Sequence, residues 1–171
     1  MFAALFPGQG SQHVGMGKFL YDNFSSTKHL FEEVSDALSQ NMQKLCFEGP
    51  EDQLKLTENT QPTLVLVGVA TYTVLKQELA LPFAAGAGHS VGEYAAAVCS
   101  GSITLAQACL AVRVRGRAMQ EAVPLGVGGM LAVIGVKDEM VVQLCQWVNE
   151  HFTDGSLEPA NFNAPGSISR S

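Results

Sequence analysis

The stretch from Phe83 to Gly101 constrains the fold more than any other part of the 171-residue chain. Phe83 to Ala87 is a short apolar run, long enough for a buried strand. Gly88-His89-Ser90-Val91-Gly92 follows without a gap, and the alanine-rich segment from Glu93 to Ser100 predicts a helix. A Gly-x-Ser-x-Gly joint between strand and helix turns sharply at the serine. Its glycines, two before and two after, let the elements approach without Cβ clashes. The Ser90 hydroxyl then projects at the carboxyl end of the strand, over the first helical turn. Unpaired N–H groups and the helix dipole can stabilise a developing oxyanion there. The same pentapeptide also fits a plain strand-to-helix turn, so it is the flanking elements that make Ser90 a candidate nucleophile.

The preceding residues supply a second strand and a set of helices. Phe2 to Phe6 is an apolar run ended by Pro7-Gly8-Gln9-Gly10-Ser11-Gln12, a buried strand entering a loop rich in glycine and amides. His13 stands where a dinucleotide fingerprint would need its third glycine. Helix-spaced apolar positions (Leu30, Phe31, Val34, Leu38) predict amphipathic helices over Lys18–Phe24 and Lys28–Leu38, with Ser26-Thr27 and Glu32-Glu33 suiting the start of the second. Gln43 to Leu56 predicts short helical pieces broken at Gly49-Pro50. Thr63 to Ala70 would suit a buried strand by its β-branched content. Thr60 as N-cap, Pro62 in the first turn and a pattern running on to Leu79 favour a helix.

Thr104 to Gln120 predicts another helix, with an apolar stripe through Leu105, Cys109, Val112, Gly116 and Met119. Arg113 and Arg117 lie off that stripe and are expected in solvent. Arg115 falls on a flank of small residues, where a half-buried guanidinium seeking a carboxylate or phosphate competes with an ordinary surface arginine. The glycine-rich segment from Pro124 to Gly129 marks a boundary. Beyond it come a strand (Met130 to Val136), a helix (Asp138 to Asn149) and a second strand (Leu157 to Phe162), one β-α-β unit.

Apolar residues make up 47% of the sequence and charged residues 15%, the balance of a well-buried globular chain. No apolar run approaches the roughly 18 residues of a membrane span, and nothing at the start resembles a signal peptide. Cys46, Cys99, Cys109 and Cys145 are widely spaced, without a CxxC pair or histidines at ligand spacing. Reduced cysteines in a cytoplasmic protein are expected, and no metal site. A net charge of −6 argues against nucleic acid as a partner.

Five segments in order resemble the malonyl-CoA:acyl-carrier-protein transacylase family and the related acyltransferase domains of fatty-acid and polyketide synthases. They are Phe6 to Gln12, Glu58 to Pro62, Gly88 to Tyr94, Arg115 to Gln120 and Asn161 to Gly166. The resemblance implies an α/β fold, with a hydrolase-like large subdomain built on a short parallel sheet. It places the N-terminal part of that subdomain over residues 1–124. Residues 125–171 would open an inserted ferredoxin-like subdomain with its first β-α-β. It also implies that Ser90 is the nucleophile taking malonyl from coenzyme A, and that Gln9 and the Val91 N–H form the oxyanion hole. Arg115 would clasp the malonyl carboxylate, whose geometry a planar guanidinium matches bidentately. His89 would be structural, and His13, His29 and His151 have no motif support.

Family members run to nearly twice this length, and the general-base histidine lies beyond the matched portion. Ser167 to Ser171 departs from the family pattern and is expected to be an unrelated tail. The implied activity moves malonyl from malonyl-CoA through a Ser90 ester to the phosphopantetheine thiol of acyl carrier protein. Coenzyme A thioester is the substrate, and no cofactor is permanently bound. A chain of this extent is expected to be inactive alone, and to self-associate or need a complementing chain. Two other readings remain open: a carboxylesterase-like serine hydrolase, and a non-catalytic remnant that binds carrier protein or a partner chain.

Overall fold

The computed structural model describes residues 1–123, 128–164 and 167–170. The chain divides into two compact units, Met1–Ala122 and Val123–Ser171.

In the first unit, β1 (Phe2–Phe6) pairs in parallel with β2 (Phe83–Gly88), and Phe6 stands opposite Gly88. Parallel pairing brings the chain off both strands at the same end of the sheet. The loop carrying Gln9 and the turn carrying Ser90 are therefore neighbours. Both strands are more exposed than an apolar run predicts, with Leu5 77% and Phe2 50% exposed and only Phe6 buried. A two-stranded sheet has two open edges, and the helices cover it chiefly around Phe6.

The core of this unit is helical. α1 (Lys18–Asn23), α2 (Ser25–Leu38), α3 (Met42–Glu48) and α4 (Glu51–Lys55) precede the 22-residue α5 (Thr57–Glu78), which packs on α2, on α6 (Gly92–Cys99) and on α7 (Leu105–Ala122). α5 is the segment whose β-branched run left strand and helix in competition. It is helical and buried without a break from Asn59 to Leu66, and a helix surrounded on all sides needs no polar face. It starts at Thr57, so Pro62 lies past the first turn. The polar residues at its start are satisfied internally: Asn59 Nδ2 donates to the Gln53 carbonyl at 2.8 Å, and Thr63 Oγ1 to the Asn59 carbonyl at 2.8 Å.

α5 and α7 cross at Gly116, where a Cβ would stand 2.7 Å from Glu58 Cα and 2.8 Å from the Thr57 carbonyl oxygen. A glycine here, costly to an isolated helix, permits backbone-to-backbone contact. The buried side of α7 is Leu105, Ala108, Cys109, Val112 and Gly116. Arg113 departs from expectation: it is half-buried and its guanidinium donates to Gln40 Oε1, because the α2–α3 connection folds over it. Arg117 is exposed, in an ion pair of 2.6 Å with Glu58.

In the second unit, β3 (Leu131–Ile134), α8 (Asp138–His151), β4 (Pro159–Ala164) and β5 (Ser167–Arg170) form a three-stranded sheet in the order β3-β5-β4. β5 is antiparallel to both neighbours. Residues 167–170 of the segment expected as an unrelated tail are thus the central strand, with Ile168 opposite both Val133 and Phe162. Its alternation of serine with a β-branched residue fits a strand once partners stand on both sides. α8 carries Asp138 and Glu139 in its first turn, where its dipole favours negative charge. It buries Val141 and Cys145. Part of the glycine-rich boundary segment, 124–127, lies outside the described residues, as do Pro165 and Gly166.

Candidate active site

Ser90 sits at φ +53°, one of three non-glycine residues among those described with a left-handed backbone. Such a conformation costs a residue with a Cβ on the order of 1 kcal/mol and persists only where the surroundings enforce it. Here the enforcement is visible. The His89 N–H donates to the Phe6 carbonyl at 3.0 Å, tying the turn to the end of β1. The Gly92 N–H returns to the His89 carbonyl at 2.9 Å and the Glu93 N–H to the Ser90 carbonyl at 3.2 Å, starting α6 at once. A Cβ on Gly88 would collide with the backbone of Gly92 and Glu93, and one on Gly92 with the Phe6 carbonyl. Both glycines are therefore steric necessities of the turn.

The serine itself is exposed. Val91, with φ −59° and ψ −26°, caps α6, and its N–H donates to no protein acceptor among the described residues. Its side chain is fully buried, which fixes the direction of that N–H. His89 turns to the β1 loop, where a Cβ on Gly8 would approach its Nδ1 to 2.5 Å. The other histidines are exposed and engaged elsewhere: His13 Nδ1 is 3.4 Å from the Ser11 carbonyl, His29 is beside Glu32, and His151 stacks on Trp147.

Arg115 is half-buried, and it is the group that α7 delivers to the serine. Nη2 donates to Ser90 Oγ at 3.0 Å and Nη1 to Gln61 Oε1 at 2.8 Å. Gln61 is 1% exposed, and its Nε2 donates to Met119 Sδ at 3.2 Å. The guanidinium is therefore braced from α5, pairs with no carboxylate among the described residues, and can form a planar, bidentate pair with an incoming anion. Gln9 is exposed, and its Nε2 donates to Thr57 Oγ1 at 3.4 Å. A cleft of about 270 Å³ lined by Leu56, Thr57, Glu58, Arg117, Gln120 and Glu121 adjoins this corner. Two larger spaces, about 430 and 360 Å³, flank the open sheet along Ala4, Phe6, Tyr72 and Phe83, away from the serine.

Sequence reasoning singled out Ser90, Val91, Gln9 and Arg115 but gave no role to Gln61 or Met119. The only signal for Gln61 in the sequence was position: it precedes Pro62 in the polar start of a helix that turns apolar from Leu64. The α7 stripe had already put Met119 one turn from Arg115.

The fold and the turn define an α/β protein in which a strand–turn–helix elbow presents a serine to a cationic side chain. Residues 4–152 match the family described as acyl transferase domain, and the chain belongs to that family. The malonyl CoA-acyl carrier protein transacylases of Salmonella typhimurium and Bacillus subtilis are each 43% identical over 168 residues. The match takes in 98% and 97% of this chain but only 53% and 51% of theirs. The chain thus spans about half the length of the curated relatives it matches. Among solved structures, the Clostridium perfringens transacylase of that name superposes with a TM-score of 0.88 at 40% identity, over 98% of this chain and 52% of its own. A malonyl-transacylase in complex with its type II polyketide-synthase acyl-carrier protein superposes with a TM-score of 0.89 at 40% identity, over 99% of this chain and 54% of its own.

Among the described residues, no helix is long and apolar enough to cross a membrane. Among those same residues, no three His, Cys, Asp or Glu side chains group as a metal-ion site. All four cysteines are free, and burial pushes Cys46 and Cys109 up to about 12 and Cys99 up to about 11. Protonated thiols of this kind are packing residues rather than nucleophiles.

Proposed function

We propose that this chain carries the nucleophile and the carboxylate clamp of a malonyl-CoA:acyl-carrier-protein transacylase. The observation that carries the reading is the Arg115 guanidinium, braced by Gln61 and in hydrogen-bond contact with Ser90 Oγ. A hydrolase of neutral esters has no use for a cation at that position, whereas a malonyl thioester brings a free carboxylate to meet it.

In the proposed reaction Ser90 Oγ attacks the thioester carbonyl of malonyl-CoA and gives up its proton to a base. The tetrahedral oxyanion is met by the Val91 N–H and the Gln9 amide. It collapses with loss of coenzyme A thiolate to leave the Ser90 malonyl ester. The phosphopantetheine thiol of acyl carrier protein then attacks the ester, and Ser90 is regenerated. Arg115 holds the distal carboxylate through both half-reactions, so the acyl group pivots about a fixed end. Malonyl-CoA and carrier protein are substrates, and the chemistry calls for no resident cofactor. The base is proposed to be a histidine in the half of the family that this chain does not span.

We assign residues 1–124 to the first part of a hydrolase-like subdomain. Residues 125–171 are assigned to the first half of an inserted ferredoxin-like one, and the antiparallel β3-β5-β4 order supports this. The free cysteines suit a cytoplasmic enzyme of fatty-acid or polyketide synthesis.

The test is Arg115→Ala, assayed with malonyl and acetyl thioesters in a chimera that joins this chain to the remaining half of the Salmonella typhimurium relative. Loss of the charged, partly desolvated contact should cost about 2–4 kcal/mol of malonyl-specific binding and leave acetyl transfer intact. An equal fall for both acyl groups would remove the clamp reading.

A further inference from the structure

We propose that Met119 is a positioning residue for malonyl selectivity, acting through the orientation of the Gln61 carboxamide. The inference rests on the reading of Arg115 as the carboxylate clamp.

A buried carboxamide can sit in either of two orientations related by a half-turn about its last torsion, and they differ in which end meets a neighbour. In one, oxygen faces the Arg115 guanidinium; in the other, the NH2 group does, and two donors oppose each other. Gln61 is 1% exposed, so water cannot repair the wrong choice. The structure has Oε1 on Arg115 Nη1 at 2.8 Å and Nε2 on Met119 Sδ at 3.2 Å. A thioether accepts hydrogen bonds and never donates them. Met119 thus favours the NH2 group on its own side and leaves the oxygen for Arg115.

The helical spacing makes the arrangement closed. Arg115 and Met119 are four residues apart on α7, hence on one face, and Gln61 reaches that face from α5 across the Gly116 contact. Met119 itself is 43% exposed, so its size contributes little to the core and its acceptor is what distinguishes it from leucine. With the amide held, Arg115 keeps Nη2 on Ser90 Oγ at 3.0 Å. With the amide free to turn, the guanidinium loses its brace and samples positions away from the serine.

The experiment uses the 171-residue chain and two variants, Met119→Leu, which keeps the shape without the acceptor, and Met119→Gln, which restores an acceptor. Malonyl-CoA and acetyl-CoA are titrated by calorimetry, and the side-chain NH signals of Gln61 and Arg115 are followed by NMR. Met119→Leu should weaken malonyl-CoA about five-fold, the effect of one hydrogen bond of ordinary strength, and leave acetyl-CoA unchanged. Met119→Gln should return malonyl-CoA to within about two-fold of the wild type, within the scatter of such effects. In a Gln61→Leu background, Met119→Leu should have no further effect, because its route is gone. Equal weakening of both ligands, additivity with Gln61→Leu, or Arg115 NH signals unmoved by Met119→Leu would overturn the proposal. Arg115→Ala is the separate control: an unchanged malonyl-to-acetyl ratio there defeats the clamp reading itself. If the chain binds neither thioester, the NMR comparison alone decides, since it needs no ligand.

Discussion

Replacing Gly116 by alanine should unfold the chain more easily and disarm the site at once, though alanine is the better helix former. The added Cβ would lie 2.7 Å from Glu58 Cα, 2.8 Å from Glu58 N and 2.8 Å from the Thr57 carbonyl oxygen. Nonbonded carbon atoms rest at about 3.5–4.0 Å, so α7 must withdraw from α5 by about 1 Å. All three obstacles are backbone atoms of the half-buried first turn of α5, and no side chain can rotate out of the way. Overpacking of this kind costs about 1–3 kcal/mol, and the upper end applies when backbone meets backbone. Helix propensity returns about 1 kcal/mol. The net expectation is destabilisation by about 2 kcal/mol, read as a lower urea midpoint with an unchanged slope. The same displacement would stretch the 2.8 Å contact from Arg115 to Gln61 beyond hydrogen-bond range, since both residues flank the crossing. Malonyl-CoA binding should therefore fall further than the loss of folded protein explains. A Gly116→Ala chain as stable as the wild type, or more so, would show that α5 and α7 are not locked at this contact.

Other expectations follow from the same geometry. Ser90→Gly and Ser90→Ala should both abolish acylation, but the glycine variant should be more stable by about 1 kcal/mol, because only alanine keeps a Cβ at φ +53°; equal urea midpoints would mean the turn is unstrained. The buried Cys46 and Cys109 thiols are raised from 9.0 to about 12, chiefly by burial. The folded state therefore holds protons that the unfolded state releases above pH 9. Stability is complete below pH 9 and falls between pH 9 and 12, by up to about 1.4 kcal/mol per pH unit for each thiol. Urea midpoints at pH 8 and pH 10.5 should differ less in Cys46→Ala/Cys109→Ala than in the wild type. The isolated chain should transfer malonyl at least about 10³-fold more slowly than the chimera with the remaining half of a relative, because an unassisted serine hydroxyl is a poor nucleophile; comparable rates would place the base within these residues.

How much of this was legible in the sequence depends on whether the deciding contact is local. The elbow was: Gly88, Ser90 and Gly92 dictate one turn, and its steric demands are met within a few residues and by Phe6. The helix at Thr63 to Ala70 was legible only through punctuation, since its β-branched residues speak for strand and its burial on all sides removes any periodicity. Arg113 was misjudged because what covers it, Gln40, is 73 residues distant. β5 was missed for a like reason, its strand character resting on β3 and β4 lying either side. Arg115 stood out as a guanidinium on a flank of small residues. Gln61 and Met119 did not, because a polar residue in a helix and a methionine on a stripe acquire meaning only when a crossing at Gly116 brings them together.

The most direct test of the account is the site of acylation. The chimera is incubated with malonyl-CoA, digested, and its peptides mapped by mass spectrometry. One malonyl group is expected per chain, on the peptide carrying Ser90 and on that residue, and none in Ser90→Ala. Malonyl on another residue, or its retention in Ser90→Ala, would contradict the account.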